Sequence, residues 1–244
     1  MAKQQRPPPP PKTCVYCGDL ATSRDHVIPK SLFTPPYPQM VTVPACEACQ
    51  VEKSYGDDDL AHYVSSTWAG GQHPRASEQR DRAISATRLS YSQIGRAIAD
   101  PANRVRRPLT TEAGIYLFDI VEVSLPDDNR DMFRTLEYIV RGLHPTRKLQ
   151  HDRRILPLPP DCPVQIRGID RLEAESVLAR FLALPHEPFV VMAENIALWS
   201  RTIELDDDPF SRLWFLAFND QECFFGATGE MANLTLRLEP GVTP

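Results

Sequence analysis

At 244 residues the chain is long enough for one large domain or two small ones. It is 42% hydrophobic and 24% charged, which excludes a wholly disordered or fibrous protein, and its net charge of −5 excludes a uniformly basic, coat-like nucleic-acid binder. No apolar run approaches the ~20 residues of a membrane-spanning helix, and the start lacks the apolar core of a secretory signal, so a cytoplasmic protein without a membrane partner is expected.

Residues 1–12, with prolines from Pro7 to Pro11, read as a disordered, partly polyproline II tail. The stretch 13–56 is rich in Pro and Gly and holds two pairs, Cys14-Val15-Tyr16-Cys17 and Cys46-Glu47-Ala48-Cys49. In a chain without an export signal thiols stay reduced, so disulfides are a poor reading. Two C-x-x-C pairs suit a tetrahedral zinc ion, which would supply the core that few apolar residues cannot. Cys162 and Cys223 stand alone and read as buried thiols. Strand fragments are expected at Val27-Ile28 and Val41 to Val43. Asp57-Asp58-Asp59 reads as the acidic start of a helix carrying Leu60, Ala61, Val64 and Trp68. A second helix is expected from Arg75 to about Ala99, ended by Asp100-Pro101.

Beyond 108 strands and helices alternate. A strand is expected over 115–125 and an amphipathic helix through Met132, Phe133, Leu136, Ile139, Val140 and Leu143. A further strand (164–167) and helix (172–184) follow. Strands are then expected at 189–192, 198–205, 213–218, 223–228 and 234–238, with a hairpin turn at Asn219-Asp220. That order predicts an α+β class with a mostly antiparallel sheet in the C-terminal part.

Charge is unevenly shared. Residues 1–154 carry 21 Lys/Arg against 18 Asp/Glu, a balance of +3, while 155–244 carry 6 against 14, a balance of −8. A polyanion should meet the first part. Its basic stretches are 75–107, with eight arginines, and 141–154, which includes Arg147 and Lys148. The acidic remainder points to contact with a protein partner or a second copy of the chain.

Between the cysteine pairs lies Arg24-Asp25-His26-Val27-Ile28-Pro29-Lys30-Ser31, and after them Gln50-Val51-Glu52-Lys53-Ser54. A carboxylate beside an imidazole supplies a metal ligand and a base, two requirements of phosphodiester hydrolysis. Neighbouring side chains of a strand leave on opposite faces, so the pair could approach a phosphate from either side. The pattern C-x-x-C, D-H-V-I-P-K-S, V-P-A-C-x-x-C, x-x-x-K-S resembles the HNH endonucleases, or ββα-metal nucleases, in the subgroup braced by a four-cysteine zinc. The resemblance covers roughly residues 13–56. It implies His26 as general base and Asp25 as ligand of a catalytic magnesium or manganese ion. It also places the second protein ligand at Gln50, where the family carries Asn or His, and leaves the family's middle Asn without a counterpart in Met40 to Val43. Arg24, Lys30 and Lys53 become candidate phosphate contacts, and Arg147 and Lys148 extend that set.

The expected organisation is a tail at 1–12, a zinc-braced nuclease module at 13–72, an Arg-rich helical connector at 73–107 and an α+β domain at 108–244. The residues admit three functions. The first is a metal-dependent HNH endonuclease acting on DNA. The second is a degenerate HNH-like zinc module that binds nucleic acid without turnover, and the third is a protein-interaction module in which zinc is only a fold element.

Overall fold

The computed structural model describes residues 12–33, 35–38, 40–67, 74–87, 92–110, 116–123, 129–144, 157–183, 190–193, 196–202, 208–219 and 222–235. The expected tail through residue 11 lies outside them, as do Trp68, Arg147, Lys148, Asp220 and the strand ends expected at 115, 124–125, 189, 203–205 and 236–238.

The chain is α+β with antiparallel sheets. It opens on a tight knuckle in which the Gly18 amide donates to the Cys14 carbonyl at 2.9 Å and the Cys14 amide to the Asp19 carbonyl at 2.6 Å. Gly18 completes this turn at φ +83°, a conformation that a Cβ would strain. Strands β1 (Ser23–His26) and β2 (Thr42–Ala45) then pair antiparallel, with Asp25 opposite Val43 and His26 opposite Thr42. The expected strand at Val27-Ile28 is displaced. Those two side chains are buried just beyond the end of β1, where the chain bends into the core, although the Val27 amide still donates to the Val41 carbonyl at 3.0 Å.

Helix α1 (Glu47–Ser66) starts at Cys46 and runs for 20 residues. This corrects the expectation that Asp57 to Asp59 begin a helix, for the three carboxylates fall in its middle. Tertiary partners outweigh their local preference for a helix start. Asp57 meets Lys53 and Thr135, and Asp59 accepts from the Ser92 hydroxyl at 2.6 Å and the Ile94 amide at 2.9 Å. The expected helix from Arg75 to Ala99 is described as two, α2 (Ala76–Thr87) and α3 (Gln93–Ala99), with Ser92 capping the second through the Gly95 amide. Asp100 ends α3, as its place before Pro101 predicts.

Strand β3 (Arg104–Thr110), within what the sequence marks as helical connector, pairs with β4 (Tyr116–Val123) as an antiparallel two-stranded ribbon. Helix α4 (Arg130–Leu143) matches its predicted stripe, burying Met132, Leu136, Ile139, Val140 and Leu143. The main sheet is fully antiparallel. Strands β5 (Val164–Ile169), β6 (Val190–Ala193), β7 (Ile196–Thr202), β8 (Arg212–Phe218) and β9 (Glu222–Thr228) lie in the order β5-β9-β8-β7-β6. Helix α5 (Arg171–Ala183) follows β5. The strand expected at 234–238 is corrected over its described part, because Glu230–Thr235 forms a short helix, α6. Its first turn is fixed by Asp208, which accepts from the Glu230 amide.

Strand β8 is buried on both faces because its alternate side chains enter different clusters. Phe215 and Ala217 pack with Ile169 and Ala174 of β5 and α5. Trp214, Leu216 and Phe218 join a cluster that continues through α4 and α1 to Val27, Val43 and Cys14. That cluster crosses the divisions expected at 72 and 107. Asn219, at φ 48°, turns β8 toward β9 and donates from Nδ2 to the Val64 carbonyl at 3.2 Å and the Gln79 side chain at 3.0 Å. Among the described residues no helix is long and apolar enough to cross a membrane.

Candidate functional site

Cys14 and Cys17 come from the knuckle, Cys46 from the end of the hairpin and Cys49 from the first turn of α1. All four sulfurs lie within 4.8 Å of one another, with Cys17 Sγ 3.6 Å from Cys46 Sγ, and none is in a disulfide. A tetrahedral zinc with Zn–S bonds of ~2.3 Å requires sulfurs ~3.8 Å apart, so the donor set and its spacing suit such an ion. Electrostatics point the same way. Burial, helped by the neighbouring sulfurs, pushes the Cys49 thiol far above its ordinary range and the Cys17 thiol up to about 11, while hydrogen bonding from Cys49 pulls Cys46 down, as expected of sulfurs crowded together. The four cysteines are thus a candidate structural metal centre. Cys162 and Cys223 lie apart from it. Burial raises both thiols, Cys223 to about 11, which leaves them protonated at neutral pH.

The second part of the site is a charge network beneath the Asp25-His26 pair. Lys53 is 1% exposed, an expensive place for an ammonium unless it is surrounded by acceptors. Its Nζ donates to the His26 carbonyl at 3.0 Å and to Asp57 Oδ2 at 3.0 Å, and lies 3.5 Å from Asp25 Oδ2. Tyr16, inside the first cysteine pair, donates its hydroxyl to the same Asp25 oxygen at 2.7 Å. Burial is the main reason the Tyr16 phenol is held far above its usual pKa, with the Asp25 charge adding to it, so Tyr16 remains a donor. Asp57 is closed from below by Thr135 Oγ1 of α4, at 3.3 Å, and its carboxyl is pushed up to about 6 by burial against the pull of Lys53.

Lys53 is therefore corrected as a phosphate contact. Its ammonium is enclosed by protein acceptors and holds the backbone of His26 in place. Arg24 and Lys30 remain on the surface. Arg24 lies along the hairpin, donating from Nε to Thr42 Oγ1 at 2.9 Å and from Nη2 to the Thr42 carbonyl at 2.7 Å. Gln50, Lys53 and Asp57 sit at i, i+3 and i+7 and share one face of α1, so Gln50 lies one turn from Lys53 on the side that meets β1. Asp25 is partly open, with a side chain 17% exposed. Magnesium takes hard oxygen donors, the kind carried by the Asp25 carboxylate and the Gln50 amide.

His26 ends β1 half-buried. Desolvation first, then the Lys30 and Lys53 charges, hold its imidazole below the ordinary pKa against the opposing pull of Asp25. The ring is neutral at pH 7 and able to accept a proton. Its Nδ1 is buried without a hydrogen-bond partner among the described residues.

Sequence reasoning missed Tyr16, Asp57, Thr135 and Tyr138. The i, i+4 spacing of Lys53 and Asp57 was a local signal for one link, but no local pattern announces the contacts from α4. His62 settles as a core residue, 1% exposed on α1, while His73 and His186 lie outside the described residues. No protein-family model, curated protein or solved structure matches the chain.

Proposed function

We propose that the protein is a metal-dependent endonuclease of the HNH kind that hydrolyses DNA phosphodiester bonds. The observation that carries this reading is the Asp25-His26 pair at the end of a two-stranded hairpin, with the His26 backbone pinned by a buried lysine of the helix that follows. The β-β-α order and the four-cysteine cluster bracketing the pair support it. In this reading Asp25 and Gln50 hold a magnesium or manganese ion, which when bound offsets charge developing on the phosphate. His26, neutral at pH 7, takes the proton of the attacking water. Lys53 and Tyr16 keep the Asp25 carboxylate oriented. Arg24 and Lys30, both exposed, receive the flanking phosphates.

One observation favours a second reading, a zinc module that binds nucleic acid with little or no turnover. A catalytic histidine works best when its second nitrogen is held by an acceptor, and His26 Nδ1 has none among the described residues. The two readings part on nicking of supercoiled plasmid in magnesium and in manganese, wild type beside His26→Ala. Metal-dependent nicking lost in the variant supports the enzyme. Two inert proteins that bind DNA equally support the binder.

A further inference from the structure

Helix α4 lies far along the chain from the hairpin, yet touches the site at three points. Thr135 Oγ1 bonds the Lys53 carbonyl at 3.1 Å as well as Asp57. Gly142 lies under Val27, so that a Cβ there would fall 2.8 Å from Val27 Cγ2, next to the residue carrying the imidazole. The third point is aromatic. Tyr138 meets the Tyr16 ring edge-on, with centroids 4.6 Å apart, and its hydroxyl is fixed by Glu52 at 2.5 Å. Glu52 also pairs with Arg134, one turn earlier on α4. Tyr16 is thus held by ring contact on one side and by its bond to Asp25 on the other.

We propose that Tyr138 is a positioning residue for Asp25, acting through Tyr16. The inference rests on the nuclease reading, in which Asp25 is the protein's carboxylate ligand for the catalytic ion. A ligand carboxylate binds well when an outer hydrogen bond fixes its orientation, and loss of such a partner typically costs ~10–100-fold in metal affinity or activity. Tyr16 supplies that bond and Tyr138 fixes where Tyr16 points. The catalytic centre therefore includes a piece of the chain some 110 residues away (Tyr138 against Asp25, 138 − 25 = 113).

The test uses the 244-residue chain loaded with zinc, and manganese as the probe. Affinity is read from free Mn(II) by electron paramagnetic resonance without DNA, with Asp25→Asn as background. Tyr16→Phe should weaken manganese binding ~10–100-fold and Tyr138→Leu by ~10-fold, both retaining one zinc per chain. Tyr138→Phe, which keeps the ring edge, should recover most of the affinity. The double variant Tyr16→Phe/Tyr138→Leu should bind manganese no worse than Tyr16→Phe alone, because both act through one bond and residues in contact need not have additive effects. If Tyr138→Leu does not fold, Tyr138→Met, which removes the ring but fills more of its volume, replaces it in the same cycle. Wild-type affinity in Tyr138→Leu, or additive losses in the double variant, would overturn the proposal. If wild type cuts nothing yet binds manganese more tightly than Tyr138→Leu, the positioning role stands and the nuclease reading fails. If wild type binds no manganese, both fail.

Discussion

The four-cysteine hairpin and the five-stranded sheet solve the same problem of holding side chains still by opposite means. In the hairpin, strands of four residues are tied together by four converging sulfurs and a buried lysine. In the sheet, Phe215, Leu216, Phe218 and Phe224 are almost wholly removed from water, and hydrophobic burial does the work. Coordination and charge fix direction, whereas apolar packing mainly fixes volume. A site that must aim a carboxylate and an imidazole belongs in the first kind of structure, and the second supplies the mass against which it is braced.

Metal removal is the strongest way to break this comparison. Structural zinc contributes on the order of 10–16 kcal/mol in small zinc modules. Stripping the metal, or Cys46→Ser, should release the amides of β1 and β2 to rapid hydrogen exchange while those of β8 and β9 stay slow. Equal loss in both regions would mean that the shared cluster makes them one cooperative unit. Next in size, His26→Ala should lower cleavage by ~10²–10⁴-fold with zinc content and DNA affinity unchanged. Wild-type cleavage by the variant would remove His26 from the chemistry. In the sheet the equivalent cut acts on stability. Leu216→Ala should cost ~2–5 kcal/mol in denaturant unfolding yet leave one zinc per chain.

Acid sensitivity sharpens the contrast further. Burial pushes His62 down to about 4, so between the ordinary histidine value near 6.5 and about 4 the unfolded chain binds a proton that the folded chain refuses. His62 therefore makes stability fall as pH drops through that window, by at most ~1.4 kcal/mol per pH unit. Asp57 works in the opposite sense, since its raised carboxyl binds a proton below about 6 that the unfolded chain binds only near 3.8. Stability curves for wild type and His62→Gln should diverge in slope below pH 6.5, and parallel curves would reject the assignment. The smallest effect is expected at Gln50. Gln50→Asn should raise cleavage modestly in magnesium and less in manganese, and no gain in magnesium would argue against Gln50 as a ligand.

The sequence foretold these two regions unequally. The cysteine spacing located the four-sulfur cluster because local chain geometry alone brings each pair of sulfurs together. The stripe from Met132 to Leu143 located α4 because helix periodicity is local as well. What stayed hidden was tertiary. Asp57 and Asp59 look like the start of a helix until Lys53, Thr135 and Ser92 are seen to claim them. Lys53 looks like a surface cation until its burial is known. Tyr16 and Tyr138, 122 residues apart in the chain (138 − 16 = 122), carry no shared pattern by which either could point to the other.

Gly56 shows how firmly the two regions are joined. A Cβ at this position would lie 2.0 Å from the Asp131 carbonyl oxygen, so α1 and α4 touch backbone to backbone there. At such a crossing no side chain is available to yield. Moving α4 by one helical turn, ~5.4 Å, would push a different part of its surface into the notch at Gly56 and part Thr135 from Lys53. The two helices are keyed to a single register, like a bolt that seats in only one position, and the hairpin inherits its alignment from that fit.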